Sequence, residues 1–200
     1  MSSVATAEAP ATTDRPRRAD AVRNRNNVLD AARSAFAAEG LDADMASIAE
    51  RAGVGVGTVY RHFPTKDALL EALMTAHFER LSDIAEQAEA EGASPWEAIE
   101  AMVWNCAQRS AEDHALCEIL SQPPASLATL PASQHLREVS HRLVRAGVAD
   151  GSVRPDATAF DVPMMMCGFG KIAALQRRGA TPGFDWHRYL TIMLDGLRAR

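Results

Sequence analysis

The 200-residue sequence has only three cysteines, Cys106, Cys117 and Cys167, an odd and scattered set. That excludes the disulfide framework of a small secreted domain and points to a reducing, cytoplasmic setting. Long apolar runs are also missing. The longest, residues 162–169, holds a proline and a glycine and falls far short of the ~20 residues of a membrane span. No basic stretch followed by an apolar block marks a secretory signal. No segment alternates as a strand would, and no period repeats, so neither a β-domain nor a solenoid is expected. Enzyme signatures are absent too. There is no nucleophile in a recognisable turn and no carboxylate pair in context. The glycines at 53, 55 and 57 lack the lysine and preceding strand of a phosphate loop. Positive charge is in deficit: 21 Lys and Arg face 26 Asp and Glu, for a net charge of −5 and a pI near 5.7. Spread evenly, that charge would disfavour a nucleic-acid partner.

The charge is not spread evenly. Arg15, Arg17, Arg18, Arg23 and Arg25 crowd one short stretch, opposed only by Asp20. Across residues 81–120 the balance reverses, with Arg109 the sole cation among nine carboxylates. A basic arm and an acidic body make the net charge a poor guide to partners. Apolar residues reach 47%, enough for a packed core.

Residues 1–16 carry almost no large apolar side chain and read as a disordered tail. Beyond them the pattern is helical throughout. Val22, Leu29, Ala32 and Phe36 recur at helical spacing, and Gly40 stops the run. Short helices are predicted over 45–52 and 57–63, the second ended by Pro64. Thr65 caps a long helix whose apolar stripe includes Leu70, Leu73, His77, Leu81 and Ile84. Ser94-Pro95-Trp96-Glu97 is a capping box opening a helix to about residue 113, and a shorter helix covers 115–121. Proline-rich 122–131 is a loop. Ser133 is a candidate cap for a helix to 149, and two more helices fit 157–178 and 185–198. The fold class is all-α, with about nine helices.

Residues 48–63, IAERAGVGVGTVYRHF, carry the most information. They read as helix, turn, helix. Ala49 permits close helix approach, and Gly53 can take the left-handed backbone that reverses the chain. Ile48, Val54 and Val59 form the buried wedge. Thr58, Tyr60, Arg61 and His62 are left exposed, hydrogen-bonding side chains on a short helix suited to a major groove. Gly55 and Gly57 leave the helix N-terminus bare, and Lys66 opens the following helix where a phosphate can be gripped.

With LDAARSAFAAEG and MASIAERAGVGVGTVYRHFPTKDALLEAL in view, the chain resembles the TetR family of bacterial transcriptional regulators. The resemblance is close over roughly residues 20–75. Beyond, it rests on length, helical character and the GVADGSVRPDATAFDV turn. It implies a three-helix DNA-binding head (residues 17–64) on a helical body (65–200), a homodimer, and a small effector that moves the heads. By position it implies that Thr58, Tyr60 and His62 meet bases and phosphates, with Arg61 and Gly57 beside them. Ser47 matches the cap of the preceding helix and Lys66 a phosphate-binding lysine. Arg17, Arg18 and Arg23 would extend the DNA footprint. A palindromic operator and a repressor released by a largely apolar small molecule follow.

For the effector pocket the candidates are Phe78, Leu81, Trp96, Met102, Trp104, Met164, Met165, Met166 and Phe169, large or adaptable side chains that plain core packing also explains. For the dimer seam they are Phe160, Val162, Met166, Phe169, Ile172, Tyr189, Ile192, Met193 and Leu197, with Gly168 and Gly170 permitting close helix contact. His114, Cys117 and Cys106 do not have zinc-site spacing, so neither metal nor cofactor is expected, and packing is the simpler role for the cysteines. The rival reading is a helical ligand- or partner-binding protein that keeps the head as a structural module.

Overall fold

The computed structural model describes residues 14–121, 125–158, 160–177 and 185–199. Among these residues there are nine α-helices: α1 (Asp14–Glu39), α2 (Met45–Ala52), α3 (Val56–His62), α4 (Lys66–Ala90), α5 (Pro95–Glu112), α6 (His114–Ser121), α7 (Pro131–Asp150), α8 (Asp161–Arg177) and α9 (Trp186–Leu197). Among the described residues the one trace of extended pairing is an isolated bridge between Val153 and Arg198. No helix among the described residues is long and apolar enough to cross a membrane.

Most helix starts follow from local chemistry. Asp44 caps α2 by accepting from the Ser47 amide at 2.7 Å. Thr65 caps α4 by accepting from Ala68 at 3.0 Å. At α5 the expected box is complete: the Glu97 amide donates to Ser94 Oγ, and the Glu97 carboxylate accepts from the Ser94 amide. Those bonds favour the ionised form and hold the Glu97 carboxyl below its usual pKa.

Two starts differ from the sequence reading. α7 is opened by Leu130 with Pro131 in its first turn, not by Ser133, because proline needs no N–H partner there. α8 begins at Asp161 instead of 157, because the Asp161 carboxylate accepts from both the amide and hydroxyl of Thr158 and holds that residue outside the helix. At the N-terminus, α1 starts at Asp14, three residues ahead of the expected head boundary. The tail assigned to 1–16 otherwise lies outside the described residues.

One continuous apolar core runs through the chain. In the head it gathers Val28, Ala32 and Phe36 of α1 with Ile48, Val59 and Phe63. α4 joins head to body: Leu69, Leu70 and Leu73 close the head, and Leu81 and Ala85 lie deeper in the body. α1 and the turn after it also pack on α6, so the head rests on the body at two places. Buried serines are satisfied along their own helices, Ser140 donating to the Leu136 carbonyl at 2.7 Å and Ser110 to Cys106 at 2.8 Å.

Candidate nucleic-acid interface and body cavity

The α2–α3 corner is built by three features. Gly53 ends α2 in the left-handed region, φ 66° and ψ 30°, where a side chain would be strained. Ile48 and Val59 are fully buried and Val54 packs against them, which locks the two helices together. Gly55 then opens α3 without any side-chain hydrogen bond, leaving the N-terminus bare as expected.

With Val59 turned inward, α3 presents its polar side outward. Tyr60 is 48% exposed, Arg61 is exposed, and Thr58 and His62 are half-buried, one turn apart along the same edge. Gly57 is exposed in the first turn. Tyr60 and Arg61 therefore face solvent, with Thr58 and His62 lying along one edge of the helix. Phe63, which ends α3, is buried, and the Arg25 guanidinium lies 5.3 Å above its ring. Arg25 thus ties α1 to the end of α3. Arg51 pairs with Glu39, tying α2 to the end of α1.

Three expectations need adjusting. Ser47 is not the cap of α2; Asp44 is, and Ser47 sits in the first turn with its amide engaged. Lys66 does not extend freely. Its ammonium donates to the Leu41 carbonyl and lies 5.9 Å from the Phe36 ring centre. Arg23 faces Asp20 at 3.7 Å, both largely exposed. The side chains of Arg15, Arg17 and Arg18 lie outside the described residues, although their backbone belongs to α1.

The body sorts its candidates more sharply. Leu81, Trp96, Met102, Met166 and Phe169 are buried core; Phe78, Trp104 and Met165 are half-buried, and Met164 is exposed. Trp104 and Phe169 meet an aromatic pair that the sequence reading did not single out. Trp186 and His187 stack at 3.6 Å, with Phe169 edge-on to Trp186 at 5.3 Å and Trp104 at 6.0 Å. Of the seam candidates, Phe160 (69% exposed), Tyr189 and Ile192 face outward, and Ile172 and Met193 are half-buried. Val162, Met166, Phe169 and Leu197 point into their own chain and leave the seam. Gly170 also serves the interior: a Cβ there would meet Leu120 Cβ at 3.0 Å, so it lets α8 lie against α6. Gly168 has open space around it.

A cavity lined by none of the expected pocket residues lies where α1, α4, α5 and α6 meet. Its polar lining includes His77, Arg109, Arg33, Arg80 and Asp113. The sequence reading assigned neither His77 nor Arg109 to a pocket; the available signals were an imidazole within an apolar stripe and the lone cation of residues 81–120. Burial, with Arg109 the next cause, lowers the His77 pKa from 6.5 to about 4. Burial likewise pushes the Cys106 thiol up to about 12 and raises Cys167, which disfavours the reactive thiolate. Among the described residues no group of three or more His, Cys, Asp or Glu side chains could hold a metal ion.

Comparison with known proteins agrees with this architecture. The family model for bacterial regulatory proteins, tetR family, matches residues 28–73. A second model, the C-terminal domain of SbtR-like transcriptional regulators, matches residues 94–199. The HTH-type transcriptional repressor KstR2 of Rhodococcus jostii is 27% identical over 187 residues, 86% of this chain and 90% of that protein. KstR of Mycolicibacterium smegmatis is 27% identical over 135 residues, 66% of each chain. The solved TetR transcription regulatory protein from Mycobacterium vanbaalenii is 34% identical, covers 92% of this chain and all of its own, and superposes with a TM-score of 0.57.

Proposed function

This chain belongs to the TetR family of bacterial regulatory proteins, DNA-binding transcriptional regulators and not enzymes, and from that premise we propose that it is a homodimeric repressor released from a palindromic operator by a small effector. The observation that carries this reading is the outward polar face of α3, held by a buried Ile48–Val59 wedge and a left-handed glycine. A rigid corner that exposes Tyr60 and Arg61, with His62 half-buried beside them, has the shape of a major-groove reader.

In this reading Tyr60, His62, Thr58 and Arg61 meet base edges and adjacent phosphates. Ser47 and Gly57 approach the backbone from the rim, and Arg17, Arg18 and Arg23 track phosphates further out. Lys66 has three N–H donors and uses one on Leu41. The others remain for a phosphate, so the same residue stiffens the α1–α4 junction and extends the interface. We assign the head to residues 17–64 and the body to 65–200. Phe160, Tyr189 and Ile192 supply the seam, flanked by Ile172 and Met193. Twofold pairing then places two α3 helices on one DNA face, about one helical turn apart. The relatives named as transcriptional repressors support that sign of regulation. A head kept only as a structural module has less support, since packing alone gives no reason for a clustered polar face on α3.

Selection from a pool of random duplexes tests the proposal. The expected outcome is an inverted repeat whose half-sites lie about one turn apart. Failure to enrich any sequence over the starting pool contradicts a sequence-specific regulator, and enrichment of single half-sites contradicts the dimer.

A further inference from the structure

We propose that the cavity between α1, α4, α5 and α6 is a binding site for a small carboxylate, held by Arg109 and His77, and that this carboxylate is the effector class. The effector half of the statement rests on the regulator reading above; the binding half does not.

Two buried groups in the cavity wall are incomplete. His77 is 6% exposed and its Nδ1 has no hydrogen-bond partner. Arg109 keeps a buried Nε without a partner. Leaving such a group unpaired is costly, and both residues line the same cavity. Both are donors in this setting. Cys106 Sγ lies 3.9 Å from His77 Nε2. That thiol stays protonated and can donate to Nε2, which places the ring proton on Nδ1, where no acceptor stands. Two unmatched donors on residues that line one cavity call for an acceptor.

Charge decides which acceptor. Arg33, Arg80 and Arg109 line the cavity against the single carboxylate of Asp113. Arg33 already pairs with Asp30 at 3.0 Å, and one Asp113 oxygen accepts from the Leu116 amide. Arg80 and Arg109 therefore leave net positive charge at the site. His77, buried and with a pKa near 4, contributes a neutral N–H at pH 7. Apolar groups from Leu73, Leu116 and Ile119 form the remaining wall. The space amounts to about 60 Å³, room for a carboxylate head group with a short apolar stem. A planar carboxylate also matches the guanidinium fork, whereas a tetrahedral oxyanion meets more apolar wall with more charge.

The position suits control. Arg33 belongs to α1 of the head, whereas His77 lies on α4, Arg109 on α5 and Leu116 on α6. A ligand bridging them changes how α1 seats on α6, and so biases the spacing of two heads in a dimer.

Calorimetry on the full chain tests the site, with acetate and propionate as probes, acetamide and propionamide as uncharged isosteres, and sulfate as a tetrahedral anion. The expected result is saturable binding of the carboxylates, at least about tenfold weaker binding of the amides and sulfate, and a loss of about tenfold or more in Arg109→Gln. Because Arg109 is partly buried, Arg33→Gln at the cavity mouth and the wild-type carboxylate–amide comparison serve as readouts that do not depend on that variant folding. Equal binding of propionate and propionamide, or no carboxylate binding, overturns the site. Fluorescence anisotropy with the selected operator then tests the effector role: propionate should weaken DNA binding, and binding without any change in operator affinity overturns that role. A protein that binds operator but no carboxylate removes this inference and leaves the regulator reading standing. One that binds carboxylate but no DNA does the reverse.

Discussion

His77 shows how a single side chain can set a condition on the whole fold. Its pKa falls from 6.5 to about 4 because burial penalises the imidazolium, with Arg109 and more weakly Arg80 adding to the effect and Asp113 opposing it. The unfolded chain therefore binds a proton between those pH values that the folded chain excludes. This contribution to stability is complete above pH 6.5 and is lost as pH falls toward 4, by about 3 kcal/mol. Urea unfolding of wild type and His77→Gln at pH 7 and pH 4.5 checks it. Wild type should lose more stability on acidification than the variant; parallel losses would show that His77 is not buried neutral. The anomaly that marks this residue, an imidazole on an apolar stripe, was legible in the sequence. The cavity was not, because it needs four helices to converge on residues as distant as Arg33 and Leu116.

At the scale of elements, legibility followed how local the determinant is. The limits of α2 agree with the sequence reading because one left-handed glycine ends it, and the α4 and α5 starts agree because Thr65 and Ser94 act within three residues of themselves. Ser133 failed as a cap because Pro131 can open a helix unaided, and 157 failed as the α8 start because Asp161 reaches back to Thr158. Roles set by tertiary packing were the hardest to read. Gly170 lies in a helix where alanine would be favoured by roughly 0.5–1 kcal/mol, yet a Cβ there sits 3.0 Å from Leu120 Cβ and 3.3 Å from its backbone carbon. The Cys117 thiol also donates to the Gly170 carbonyl at 3.0 Å. Gly170→Ala should therefore destabilise the protein by about 1–3 kcal/mol through overpacking of α6 against α8. A thermal melt at or above the wild-type temperature would contradict that close contact.

For the whole molecule, the charge of −5 describes two regions of opposite character. The acidic carboxylates of residues 81–120 belong to the body, and a cluster of arginines lies on α1. Non-specific attraction to DNA should accordingly be weak and specific affinity should depend on correctly placed contacts. Replacing Arg17 and Arg18 together by alanine should flatten the plot of log affinity against log salt by roughly 0.9 for each phosphate contact removed. An unchanged slope would make that stretch of α1 a bystander. Pairing of two chains through Phe160, Tyr189 and Ile192, as proposed, would cover apolar side chains that the single chain leaves in water, and would give the operator its symmetry.

The most direct test of DNA reading by α3 is a fluorescence anisotropy titration of wild type and Tyr60→Ala against the selected operator and a scrambled duplex, at one fixed salt concentration. Tyr60 is exposed, so its loss should leave the fold intact by circular dichroism. The expected result is at least about a thousandfold preference of wild type for the operator. In Tyr60→Ala operator binding should weaken by about 1–3 kcal/mol, with little change on the scrambled duplex. Equal affinity of wild type for both duplexes, or an unchanged operator affinity in a folded Tyr60→Ala, would contradict recognition by this helix.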